Sequence, residues 1–202
     1  MTKLNFGRLH RFCPKCNHNV LDIFKEWEGN EDVYCLNCGF EGLSEDLIGY
    51  KIMSGGQTGV DRGALDFAIE NGFDYSGYIP VGRRAEDGKI SEKYENLVET
   101  VFNDYIKRTE MNVEYSDGTL IIAKYFNGGS WQTEKICRNK AKPNFTFMIR
   151  NMNKVNFNDN KVNFWKWMDK YNIKELNVAG NRESKAPGIY EKTKFILTYF
   201  FE

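Results

Sequence analysis

From about residue 49 onward, apolar residues fall into short continuous runs separated by stretches of helical periodicity. GYKIMSG is a brief apolar run that ends in glycine, and VDRGALDFAIENG then repeats apolar positions at helical spacing up to a glycine stop. SGYIPVG predicts the next strand, with Pro80 just past its end. ISEKYENLVETVFNDYIKRTE predicts one helix with Leu97, Val98, Val101, Phe102 and Ile106 on a shared face. GTLIIAKY and FTFMIR predict buried strands, with SWQTEKICRNKAK as the helix between them. NKVNFWKWMDKYN predicts a helix with Val162, Trp165 and Met168 along one stripe. ELNVAG is the last strand and PGIYEKTKFILTYFF the last helix. Ser184 is placed to cap that helix, and Pro187 falls where a first turn has no use for an N–H. Repeated β-then-α units predict an α/β, doubly wound fold with a parallel sheet covered on both faces. The stretch 150–161, RNMNKVNFNDNK, is expected to be a mobile loop.

The first 48 residues follow a different pattern. Four of the five cysteines form two CxxC pairs, Cys13/Cys16 and Cys35/Cys38, with 18 residues between the pairs. Two such knuckles bring four thiolates to the corners of a tetrahedron, which suits structural Zn²⁺ with no open coordination position. The intervening segment reads as two short strands around Gly29-Asn30, and Gly39 supplies a tight turn after the second pair. The pattern is that of a zinc ribbon over 1–48, followed by one domain over 49–202. Disulfides would need an oxidising compartment. MTKLNFGRLHRF shows neither an apolar leader core nor a cleavage site, so a cytoplasmic location is expected. Two matched pairs are also one more than a redox dithiol requires. The fifth cysteine, Cys137, falls in a predicted helix and reads as a small core residue.

Composition narrows the partners. The 202 residues are 41% hydrophobic and 28% charged, which suits a globular chain with room for one full domain and a small appendage. Lys+Arg and Asp+Glu are both 28, so no global field recruits nucleic acid or an anionic membrane. Arg8, His10, Arg11, Lys15 and His18 form a small basic rim, for which weak nucleic-acid binding at most is expected. No apolar run approaches the ~18 residues needed to span a bilayer. A homo-oligomer is compatible with all of this.

The chemistry is concentrated where predicted strands meet helices, the place where open α/β sheets bind ligands. SGGQTGVDRG, from Ser54 to Gly63, follows a strand and opens a helix. Its glycines would let an anion approach the free N–H groups of the helix start. The spacing is neither a Walker motif nor GxGxxG, which disfavours nucleoside triphosphate hydrolysis and ordinary dinucleotide binding. FNGGS, at 126–130 after SDGTLI, is a second such turn. AGNRES, at 179–184, adds Asn181, Arg182, Glu183 and Ser184, with Arg182 suited to a phosphate or carboxylate. GRRAEDGK, at 82–89, places Arg83, Arg84, Glu86 and Asp87 nearby, either at a site or in a solvated turn. Tyr78 and Tyr94 could stack on a base, although aromatics at such positions more often serve the core.

SGGQTGVDRGALDFAIENG, GYIPVGRRAEDGKI, RTEMNV with SDGTLI, and NVAGNRESKAPGIY together resemble the molybdenum-carrier family. That family is a branch of the SLOG superfamily of Rossmann-like nucleotide-binding folds. The resemblance spans roughly residues 49–202, leaves the ribbon outside, and implies a doubly wound fold with a pocket at the Gly-rich loops. SLOG members bind nucleotides, sense NAD-derived or cyclic nucleotide signals, bind single-stranded DNA, or cleave the N-glycosidic bond of nucleoside monophosphates. The cleaving members carry an Arg before the strand that leads to a PGGxGTxxE loop, and a Glu in the helix of that loop. Arg108 and Glu134 occupy similar places here, but NGGSWQTE lacks the Pro and the GT step. The resemblance therefore implies a kept phosphate cradle more than kept catalysis, with Glu134 complementing a helix dipole.

The expectation is a protein that binds a nucleotide or nucleotide derivative for sensing, carriage or sequestration. Gly55, Gly56, Gln57, Thr58 and Gly59 would hold one phosphate, and Gly128, Gly129 and Ser130 another. Asp61 and Arg62 would flank the first loop, with Arg182 and Glu183 closing the pocket. The alternative is a hydrolase of an N-glycosidic or phosphate-linked bond, with Arg108, Glu134 and Asp61 as candidate catalytic residues. A third reading is a nucleic-acid adaptor that uses the ribbon.

Overall fold

The apolar runs of the sequence assemble into a six-stranded, all-parallel sheet. The computed structural model describes residues 11–16, 21–27, 30–43, 48–152 and 154–201. In chain order the elements are β1 (Arg11–Phe12), β2 (Leu21–Trp27), β3 (Asn30–Cys35), β4 (Glu41–Leu43), β5 (Ile48–Gly49), β6 (Lys51–Met53), α1 (Val60–Asn71) and β7 (Asp74–Ile79). There follow β8 (Arg84–Ala85), β9 (Gly88–Lys89), β10 (Leu97–Glu99), α2 (Tyr105–Glu114), β11 (Gly118–Ala123) and α3 (Gly128–Asn139). The chain ends with β12 (Asn144–Met148), α4 (Lys154–Lys170), β13 (Glu175–Gly180) and α5 (Ile189–Phe201). The sheet order is β10-β7-β6-β13-β11-β12.

Successive units wind outward in both directions, to β7 and β10 on one side and from β11 to β12 on the other. Right-handed crossovers therefore put α1 and α3 on opposite faces. Helix α5 packs on α1, and α2 packs on α3, completing two helical layers. Such double coverage explains why β11, GTLIIA, is buried at every position. Among the described residues no helix is long and apolar enough to cross a membrane.

The N-terminal strands β2, β3 and β4 form a separate antiparallel sheet, with β2 and β3 flanking the expected turn. Strand β1 pairs with β5 and carries Phe12 into the main core. Phe12 is 1% exposed, with ring centroids 5.0 Å from Tyr50, 5.9 Å from Trp165 and 6.0 Å from Phe201. The residue beside the first cysteine is thus embedded in the aromatic core of the larger domain. Of the expected basic rim, Lys15 is exposed; Arg8, His10 and His18, and the side chain of Arg11, lie outside the described residues, as does Gly29.

Three expectations are corrected. The helix expected over 90–110 is broken: Leu97–Glu99 pairs in parallel with Gly77–Ile79 as the edge strand. Helix α2 starts only after Asp104, whose carboxylate accepts the Ile106 N–H at 2.7 Å. The supposed apolar stripe is not one, since Leu97 is buried while Val98, Val101, Phe102 and Ile106 are exposed, Val101 to 85%. The loop expected over 150–161 is helical from Lys154, and Phe157 is buried against Phe147 and Phe200. Ser184 does not cap α5; its hydroxyl donates to Glu86. Glu183 supplies that end instead, accepting the N–H groups of Gly188 and Tyr190.

Candidate functional site

The carboxyl ends of β6, β11 and β13 converge on one edge of the sheet, where the three loops singled out above come together. Between α2 and α3 lies a cavity of about 460 Å³. Its lining includes Gln57, Asp61, Arg108, Gly128, Gly129 and Arg182. Two guanidinium groups face one carboxylate there, giving the cavity a net positive lining.

At its floor, the Arg108 guanidinium donates to Asp61 Oδ2 at 3.2 Å, and the Gln57 amide N–H donates to the same oxygen at 3.2 Å. Both ion-pair partners are nine-tenths buried. Burial pushes the Asp61 pKa up, and the charge of Arg108 opposes that rise. Gly55 makes this arrangement possible: a Cβ there would lie 1.5 Å from Arg108 Nη1. The missing side chain at Gly55 makes room for an arginine.

Several main-chain donors of the first loop and of the helix start that follows it are engaged within the protein. Thr58 N donates to Gln57 Oε1, Val60 N to Asn181 O and Arg62 N to Gln57 O. The Asp61 carboxylate thus takes up one donor of this loop, the Gln57 N–H. Gly55 and Gly56 are buried and do not line the cavity, whereas Gln57 and Asp61 of this segment do. Two donors at the floor have no partner: Gln57 Nε2 and Arg108 Nε are buried and unsatisfied. Gln57 is 4% exposed and Arg108 8%. Leaving such groups unpaired typically costs ~1–3 kcal/mol each, so an acceptor that reached either atom would find a donor already stripped of water.

On the opposite wall, α3 begins at Gly128 with no side-chain cap from Asn127, and Gly128 and Gly129 are exposed. Helix N-termini favour negative charge. Ser130 plays a different part: it is fully buried, and its hydroxyl donates to main-chain oxygens of Tyr125 and Asn127. Asn181 organises the same loop, accepting the amides of Lys124 and Tyr125. Arg182 lies over the Tyr105 ring at 5.2 Å. Glu134 does not line the cavity; it pairs with Arg138 at 2.5 Å on the outside of α3.

Thr58, Gly59, Arg62 and Glu183 line a second, larger and more open cleft of about 980 Å³, as does Glu86. The larger volume does not make it the better site. Its carboxylates outnumber its cations and have internal partners. Asp87 holds Arg62 through two hydrogen bonds, and Asp66 binds Lys93 and the Tyr190 hydroxyl. Glu86 accepts from Thr58 and Ser184, and these hydrogen bonds outweigh burial and hold its carboxyl below the ordinary range. Of the remaining 82–89 residues, Arg84 is exposed and Arg83 is buried, bridging to the carbonyls of Ile90, Ser91 and Tyr94. Tyr94 is a core residue and Tyr78 packs on Tyr115. The aromatics that do line the smaller cavity, Tyr105 and Trp131, were missed in the sequence.

In the ribbon, the sulfurs of Cys13, Cys16, Cys35 and Cys38 all lie within 4.8 Å of one another, and no disulfide joins them. The Cys13–Cys38 and Cys16–Cys35 separations are 3.6 and 3.5 Å. A tetrahedral thiolate site with bonds of ~2.3 Å spaces its sulfurs about 3.8 Å apart, so the cluster fits a metal ion. Without a cation, burial raises the Cys13 pKa and pushes that of Cys38 up to about 12. A dication would supply the charge that stabilises the thiolates.

Comparison with known proteins places the larger domain. A family model, the Circularly permutated YpsA SLOG family, matches residues 52–201. The crystal structure of "Putative molybdenum carrier protein" from Syntrophus aciditrophicus SB is 42% identical to this chain. It superposes with a TM-score of 0.72 over 76% of this chain and 96% of that one. No curated protein matches. The topology accords with a permutation: the last strand, β13, lies in the middle of the sheet between β6 and β11. Moved ahead of β6, the β13–α5 unit would start a sheet whose strands wind outward in sequence order. The chain belongs to the circularly permuted YpsA SLOG family, with a four-cysteine N-terminal module outside the matched region.

Proposed function

We propose that this protein binds a nucleotide or nucleotide derivative through its phosphate, seated between α2 and α3, for sensing, carriage or sequestration. The observation that carries this reading is the pair of buried, unpartnered donors at the cavity floor, Gln57 Nε2 and Arg108 Nε. The uncapped start of α3 and Arg182 on the cavity wall add to it. Membership of a SLOG family supports a nucleotide-related small molecule as the ligand. Calorimetry against nucleoside monophosphates, NAD-derived cyclic nucleotides and cyclic dinucleotides, with chromatography of the recovered ligand, tests it. Expected are stoichiometric binding, unchanged ligand, and weakening by about 1.5–3 kcal/mol in Arg182→Ala.

One observation favours the rival hydrolase: Asp61 places a carboxyl of raised pKa in the cavity. A hydrolase would use this group rather than Glu134. Multiple-turnover release of base or phosphate, slowed ~10²-fold in Asp61→Asn with affinity spared, would select it.

For the cysteine cluster we propose zinc, bound by Cys13, Cys16, Cys35 and Cys38. Elemental analysis should give about one Zn²⁺ per chain, lost in the Cys13→Ser, Cys38→Ser double variant. Chelation should unfold the ribbon. Because Phe12 is seated in the aromatic core, the Tm of the larger domain should fall as well. An unchanged Tm after complete zinc removal would show that the two parts are uncoupled.

A further inference from the structure

The lining of the α2–α3 cavity changes character with depth. Gln57, Asp61 and Arg108 are buried at its floor, whereas Ile106 and Trp131 are 45% and 48% exposed. Both of these half-exposed apolar residues line the cavity, one from the first turn of each helix. Trp131 makes one cation–π contact, with Lys135 at 5.3 Å. A large indole left half in water, in a cavity with a net positive lining and unpartnered donors at its floor, fits an amphipathic occupant, with an anionic group inside and a flat apolar ring at the mouth.

We infer that Trp131 is a specificity-determining residue that stacks on the base of a bound nucleotide, with Ile106 lining the same mouth and the phosphate pointing inward. This rests on the anion-site reading above and adds to it an orientation and a preference for a base-bearing ligand over the bare sugar phosphate. Stacking on any base face is sequence-tolerant, so Trp131 selects for a planar ring and leaves the choice among bases to other groups.

The test is calorimetric titration of ribose 5-phosphate and of adenosine monophosphate into the wild-type protein, Trp131→Ala and Trp131→Phe. The wild type should bind the nucleotide roughly tenfold more tightly than the sugar phosphate. Trp131→Ala should erase that gap while leaving ribose 5-phosphate affinity within about twofold, and Trp131→Phe should keep most of the gap. A gap that survives Trp131→Ala overturns the stacking assignment. Equal loss of affinity for both ligands also overturns it and makes Trp131 a packing residue. If the wild type binds ribose 5-phosphate and the nucleotide equally, the stacking proposal fails while the anion site stands. If it binds neither, the anion-site reading fails and takes the stacking with it.

Discussion

Arg108→Met is expected to destabilise the fold by about 3–5 kcal/mol at neutral pH, the usual cost of stranding one member of a buried ion pair. The partner left behind is Asp61, buried and otherwise held by the Gln57 N–H. Deprived of the opposing charge, its carboxyl prefers the protonated form, so its folded pKa stays above the unfolded value of ~3.9. The fold then binds the extra proton. The deficit should therefore be small below that value and grow as the pH rises towards neutrality. Adding Asp61→Asn removes the stranded charge and keeps an acceptor for the Gln57 N–H, so the double variant should recover most of the stability and lose the pH dependence. It should not recover ligand binding, because the Arg108 donors are gone. Denaturant titrations at pH 4 and pH 7 check the first two statements and calorimetry the third. A single variant with unchanged stability at both pH values would mean that the pair does not brace the cavity floor.

The second large effect is expected at Gly180→Ala. Gly180 pairs with Ile122 across β13 and β11, and it lines the cavity. A Cβ there would sit 1.9 Å from the Ile122 carbonyl oxygen and 2.8 Å from Val60 Cγ2. The first of these neighbours is main chain in the centre of the sheet, so relief would require two central strands to part. A loss of about 4 kcal/mol or more follows, which corresponds to a Tm fall of roughly 10 °C for a chain of this size. A thermal melt checks it. A fall of only a degree or two would mean that the two strands are less closely set than described.

The parallel sheet was legible because its strands are continuous apolar runs followed by helices of clear period, as in GTLIIA and VDRGALDFAIEN. The edge of the sheet was not. Leu97, Val98, Val101, Phe102 and Ile106 happen to fall at helical spacing, but the chain uses Leu97 alone as an anchor and leaves the other four exposed. Once 90–110 is taken as one helix, nothing in the sequence brings Tyr105 and Ile106 to a cavity. The Gly-rich loops were found for their motif, yet the role of each glycine depends on what fills the space beside it. At Gly55 that is a side chain 53 positions later in the chain. Glu183, likewise, reads as a ligand contact until its oxygens are found on the Gly188 and Tyr190 amides. Spacing alone predicted the four-cysteine cluster, because two CxxC knuckles carry their own local geometry. Phe12, which ties that cluster to the main core, is a single aromatic residue with no pattern around it.

A crystal structure of the protein soaked with adenosine monophosphate tests the phosphate site between α2 and α3 directly. Phosphate oxygens are expected within about 3 Å of Gln57 Nε2 and the Arg108 guanidinium, between α2 and the start of α3. A phosphate seated instead in the larger cleft beside Glu86 and Tyr94, or an α2–α3 cavity that stays empty at saturating ligand, would contradict it.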